Sequence, residues 1–248
     1  MTRETDRSRA SDRQRLSDRH RQSEYHRSGR AARLRAGVLG ANDGLLSTAA
    51  VMAGVGAASG GRAQLLVTGF AALAGGALSM AAGEYGSVSS QRDTELADLE
   101  RERLELEATP EAEQAELAAI YRARGLSADL ARQVAAELSA GDALMHHARD
   151  ELGLELGGLA RPLEAALVSA ASFSLGAFAP VLVALVVSGS ARAVATIVVT
   201  LTGLAVLGAV GARLGGAPLG RAAARIFLLG AVALAVSTAV GHFVGRVV

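Results

Sequence analysis

Five apolar stretches, at about 34–58, 63–86, 163–188, 191–213 and 225–247, dominate the chain. A helix rising about 1.5 Å per residue needs about 20 such residues to cross the hydrocarbon of a bilayer. No water is present there, so each backbone polar group must be satisfied within its own segment. The five stretches therefore predict five transmembrane helices. Composition agrees: half of the 248 residues are hydrophobic, Gly and Ala are abundant, and Trp and Cys are absent. Without cysteine there is neither a disulfide nor a thiolate metal site, and any metal must be held by carboxylate, imidazole, thioether or backbone groups.

The net charge of +1 conceals strong segregation, because all 25 basic residues are Arg and ten of them precede Leu34. Residues 1–33 mix those ten Arg with five acids and few large apolar side chains. Such a segment buries too little surface to offset the entropy of ordering, so a disordered cytosolic tail is expected. The apolar stretch that follows is too long for a secretory signal peptide. Ala-rich, Arg-only usage points to a GC-rich bacterial genome.

Arg placement also sets orientation. With the tail inside, the polar segment between spans 2 and 3 and the 213–225 loop, with Arg213, Arg221 and Arg225, fall inside as well, whereas the opposite loops carry only Arg62 and Arg192. The C-terminus then lies outside. The expected organisation is a tail (1–33), transmembrane helices 1–2 (34–89), a cytosolic Glu-rich insert of three helices (90–160) and transmembrane helices 3–5 (161–248). Within the insert the helices are expected at about 89–107, continuing from span 2, at 110–124 after Pro110, and at 128–152 with Ser127 as cap and Gly141 as a point of interruption. Pro180 is expected to kink span 3.

One acid lies inside span 1, in "GANDGLLST" at 40–48. A carboxylate in hydrocarbon is costly and by default faces a cavity or a partner. Asp43 lies roughly 13 Å along the helix from Leu34, and Met80 in span 2 reaches a similar depth, roughly 16 Å from Gln91. Glu84 shares a helix face with Met80 one turn nearer the cytosol. These three predict a polar half-channel. Small residues at four-residue spacing let helices approach closely: Ala36, Gly40, Gly44 and Thr48 in span 1, Gly75, Ser79 and Gly83 in span 2, Gly241 and Gly245 in span 5. If the span-1 stripe packs on a copy of itself, two Asp43 carboxylates meet across a twofold axis and share a proton or hold a cation. For spans 4 and 5 ordinary packing is expected.

The insert carries the second signal. Nine acids fall in the 22 positions from Glu95 to Glu116. Glu95, Asp98, Glu102 and Glu105 share one helical stripe, Glu113 and Glu116 form an i, i+3 pair on the next helix, and Arg101 and Arg103 are expected on other faces. "HHARDELGLE" adds His146 with Asp150 and His147 with Glu151, each at i, i+4. Stacked like charges repel unless a cation joins them, and carboxylate with imidazole suits Fe(II), Mn(II), Co(II) or Zn(II). No phosphate-binding loop or HExxH motif is present, cysteine catalysis is excluded, the Ser and His residues argue for no triad geometry, and aromatics at 3% are too few to stack nucleic-acid bases.

"GANDGLLST", "LSMAAGEYGSVSSQRDTE" and "HHARDELGLE", with five spans and a Glu-rich insert, resemble the vacuolar iron transporter family over about residues 34–248. The resemblance implies a homodimer exchanging cytosolic Fe(II), and often Mn(II), for protons, with no prosthetic group and no enzymatic activity. It also implies an ion path through Asp43 and Met80, and an insert whose ligands match Glu102, Glu105, Glu113, Glu116 and Glu151. His147 stands where plant members are thought to carry a thioether, which alters the softness of the site. Export across a bacterial cytoplasmic membrane is the expected task; the competing readings are a dimeric membrane-anchored metal sensor or buffer, and an exporter of small organic solutes.

Overall fold

The computed structural model describes residues 37–58, 61–154 and 158–247; the predicted tail and the first residues of span 1, Ala36 included, lie outside them. The described residues are helical without strands. Among the described residues eight helices follow in order: α1 (Gly37–Ala57), α2 (Arg62–Ala108), α3 (Pro110–Ala123), α4 (Ala128–Ser139), α5 (Ala143–Asp150), α6 (Pro162–Val186), α7 (Ala191–Gly215) and α8 (Leu219–Val247). Five of them, α1, α2, α6, α7 and α8, are long and apolar enough to span a membrane. Span 2 and the first insert helix are one unbroken helix of 47 residues. The chain divides into two compact units, one formed by residues up to Ala81 with Leu167–Val248, the other by Ala82–Ala166.

In the first unit α1 is the central helix. Its small residues meet α6, where a Cβ added to Gly44 would lie 2.0 Å from the Phe173 carbonyl oxygen and one added to Gly176 would lie 1.9 Å from that of Ala41. On α8, a Cβ at Gly241 would sit 1.9 Å from the Gly54 carbonyl oxygen. Such backbone-to-backbone contact is what small residues allow where helices gain no hydrophobic drive from lipid. Leu45, Ala49, Met52, Phe173, Ala177, Val181 and Leu204 fill the remaining interior. Pro180 is buried within α6.

One expectation changes here. The Gly40/Gly44 stripe is covered by Ser169, Ser172 and Phe173 of the same chain, so it has no face left for a copy of itself. The reason is that α6 offers its own small residue, Gly176, to the same seam. By contrast, Gly75 and Gly83 of α2 have nothing within 4 Å of an added Cβ. Arg62 and Arg192, read from sequence as orientation markers, also finish α6: Arg62 donates to the Leu185 carbonyl (2.5 Å) and Arg192 Nε to that of Val187 (3.0 Å). Positive groups there satisfy orphan carbonyls at the negative end of the helix dipole.

In the second unit the helix ends are legible residue by residue. Pro110 occupies the first turn of α3, where its missing N–H costs nothing. The Ser127 hydroxyl accepts from the Leu130 N–H, and the Asp142 carboxylate from that of Met145. The helix expected over 128–152 is two, because Gly141 stops α4 and Asp142 starts α5. Leu117, Ala118 and Ala135, flanked by Tyr121 and Leu138, pack α3 on α4.

Candidate metal centre

Glu102 on α2, Glu113 on α3, and His147 and Glu151 at the end of α5 converge, with one ligand atom from each lying within 4.8 Å of the others. Three helices thus bring together residues up to 49 positions apart. His147 is fully buried, Glu102 is 2% exposed and Glu113 is 7% exposed, while Glu151 opens to solvent. Acids are rarely so buried without a partner. His147 Nδ1 lies 3.2 Å from Glu151 Oε2 in hydrogen-bond geometry and 2.8 Å from Glu102 Oε1. The second approach lacks hydrogen-bond alignment, so Glu102 Oε1 is buried without a hydrogen-bond partner, and the other ring nitrogen, His147 Nε2, is also buried without one.

A cavity of about 250 Å³ adjoins these groups, lined by the carboxylates of Asp98, Glu102, Glu105, Glu113, Glu116 and Glu151. Two carboxylate charges within 4.8 Å of one another repel by at least about 3 kcal/mol at an effective dielectric of about 20. Burial pushes the Glu102 carboxyl above the ordinary carboxylate range, and the charges of Glu151, Glu113 and Glu105 add to it, while His147 opposes. Burial likewise raises Glu113, with Glu116, Glu105 and Glu151 adding and His147 opposing. A divalent ion would cancel the repulsion, and carboxylate oxygens with an imidazole nitrogen form a donor set for Fe(II), Mn(II), Co(II) or Zn(II).

These directions fix a pH dependence. A carboxyl whose folded pKa is raised contributes stability that is full below its unfolded value and is lost as pH rises through the folded value. Metal-free protein is therefore expected to melt at falling temperature as the pH rises above the ordinary glutamate value of about 4.3. Saturating Mn(II) should reverse that slope, since metal binds the deprotonated groups. A metal-free melting temperature that climbs over the same range would contradict the raised values.

Not every predicted acid serves the cluster. Glu105 and Glu116 line the cavity but stand outside the group of four. Glu95 accepts from the Ala160 N–H (3.0 Å) and from Gln91 (2.8 Å), so it fastens the returning chain. Arg101 does not avoid the acidic stripe: it lines the cavity and pairs with Asp98. Its long side chain reaches back one turn, which backbone phase alone does not show. His146 does not pair with Asp150, whose carboxylate is taken by Tyr121 (2.7 Å) and Arg124 (2.7 Å). Burial alone would raise Asp150, but these two partners hold it below the usual range. Sequence reasoning missed that arrangement because the partners are 26 to 29 residues away.

In the first unit Asp43 lies exposed on α1 and Met80 is half-buried on α2; Glu84, in the second unit, is half-buried. None of the three belongs to the cluster of four.

The profile described as VIT family matches residues 34–242. Among curated proteins, the chain is similar to a vacuolar iron transporter of Acanthamoeba castellanii, 46% identical over 214 residues that cover 86% of this chain and 79% of the relative. It is 38% identical to vacuolar iron transporter homolog 5 of Oryza sativa subsp. japonica, over 84% of this chain and 78% of the relative. For vacuolar iron transporter homolog 2 of Arabidopsis thaliana the identity is 35%, over 88% and 87%.

Proposed function

The chain belongs to the VIT family, and on that footing we propose that it exports Fe(II), with Mn(II) as a second cargo, from the cytosol in exchange for protons. Its relatives are transporters, not enzymes, and metal transport is the function the family supports. The finer reading has a homodimer in a bacterial cytoplasmic membrane, with the N-terminus and the insert cytosolic and the C-terminus outside. The observation that carries it is the cluster of buried Glu102, Glu113 and His147 with solvent-facing Glu151, in a chain with five candidate spans.

The proposed sequence of events follows from the donor sets. Glu102, Glu105, Glu113, Glu116, His147 and Glu151 gather the ion and replace part of its water shell. Protons compete for the same carboxylates, so a fall in pH releases it. Met80 and Asp43 then receive the ion, with Glu84 one helical turn from Met80 on α2. The open Gly75 and Gly83 positions of α2 supply a surface on which a second copy can seat. Asp43, exposed on the single chain, would gain a partner in such a dimer.

A metal panel in proteoliposomes loaded with a pH-sensitive dye tests this. Fe(II) entry with opposing proton movement is expected; metal entry without it would remove antiport and keep transport. Binding by detergent-solubilised protein tests the insert separately. Glu102→Gln and His147→Ala should each weaken Mn(II) binding at least about tenfold, equivalent to about 1.4 kcal/mol, while flux at saturating metal persists. A sensor or buffer would bind metal with the same sensitivity and pass none.

A further inference from the structure

The short helix α5 carries His147 and ends beside Glu151, yet it is only eight residues long. An isolated helix of that length has little stability of its own. Its C-terminal end is fastened to α3, the helix that carries Glu113. The Tyr121 hydroxyl donates to Asp150 Oδ2 (2.7 Å), Arg124 Nη1 donates to Oδ1 (2.7 Å), and Arg124 Nη2 donates to the Asp150 carbonyl (3.0 Å). Both carboxylate oxygens and the backbone oxygen of one residue are thereby engaged. The guanidinium also lies over the Tyr121 ring, 5.2 Å from its centroid. Beneath it, Tyr121 rests on the buried Leu117, Ala118 and Ala135. Beyond Asp150, Gly153 takes a φ of 68° that side chains resist, and the Leu154 N–H returns to the Ala148 carbonyl (2.7 Å).

We infer that Asp150, held by Tyr121 and Arg124, is a positioning residue that fixes His147 and Glu151 against Glu113 and so sets the geometry of the metal cluster. It spans the gap between two of the three helices that supply ligands, while offering no oxygen to the metal itself. Asp150 lies three residues after His147 and immediately before Glu151, so a change in its attachment is passed directly to both. The inference rests on the metal-binding reading of the insert.

Co(II) titration of the full chain in detergent, read by its visible absorption, tests it. Arg124→Gln is expected to weaken Co(II) binding about tenfold, the low end for groups that orient ligands from outside, and to alter the band shape. In a His147→Ala/Glu151→Gln background the same substitution should change affinity less than about twofold, because the residues it orients are gone. An equal loss in both backgrounds would mark a general structural effect and overturn the inference. So would unchanged binding by Arg124→Gln when His147→Ala weakens it. Wild-type protein that does not bind Co(II) would instead remove the reading beneath it. Should Arg124→Gln not fold, Tyr121→Phe removes a single bond while keeping the ring on Leu117, and carries the same comparison at about threefold.

Discussion

Asp43→Ala protein reconstituted in proteoliposomes is expected to move Fe(II) about 100-fold more slowly than wild type, equivalent to about 3 kcal/mol. That is the scale for removing one partner of a desolvated charge interaction. The physical basis is the cost of moving a divalent ion through hydrocarbon without a carboxylate to meet it. Asp43 is the sole acid in the first unit's described residues, which otherwise carry Arg62, Arg192, Arg213, Arg221, Arg225 and Arg246. No neighbouring carboxylate on that unit can take over. Metal binding by the insert should be unchanged in the same variant, because its ligands lie in the other unit. Wild-type flux through Asp43→Ala protein would end the proposal that this acid lies on the ion path. Loss of binding together with flux would point to misfolding.

A large stability effect is expected at Gly176. A Cβ there would stand 1.9 Å from the Ala41 carbonyl oxygen and 2.9 Å from the Leu45 nitrogen. Both are backbone atoms that no rotamer change can move aside. Gly176→Ala should cost at least about 1–3 kcal/mol, the range for overpacking a core, and Gly176→Val should prevent recovery of a monodisperse protein. Gly75→Ala is the matched control, since nothing lies within 4 Å of its added methyl. It should be neutral or stabilise α2 by up to about 1 kcal/mol through helix propensity. Thermal unfolding in one detergent compares them; equal melting of Gly176→Ala and wild type would mean the α1/α6 seam is looser than its contacts imply.

The five long helices were legible because span length is a property of each segment alone, needing no knowledge of neighbours. Acid phasing was equally local: it put Glu102 in one stripe with Glu95, Asp98 and Glu105, paired Glu113 with Glu116 and His147 with Glu151, but did not tell which of these the fold brings together. What failed involved choices among partners. Gly44 had a small face suited to a second copy or to α6, and only the position of Gly176 decides between them. Glu95 and Asp98 share the stripe of Glu102, but the Ala160 backbone and Arg101 claim them. Asp150 looked like a partner for His146 until α3 placed Tyr121 and Arg124 beside it.

The seams on α1 also restrict how the first unit can work. Gly44 and Gly176 lock α1 to α6, and Gly54 and Gly241 lock it to α8, through backbone contacts on two sides. Interiors this close are not continuously deformable, so sliding α1 by even an ångström would require all of these contacts to separate together. Asp43 is accordingly mounted on a stationary post. Distances measured by spin labels between α1 and α8 should stay constant through a transport cycle, and whatever opens or closes around Asp43 has to come from elements that approach it.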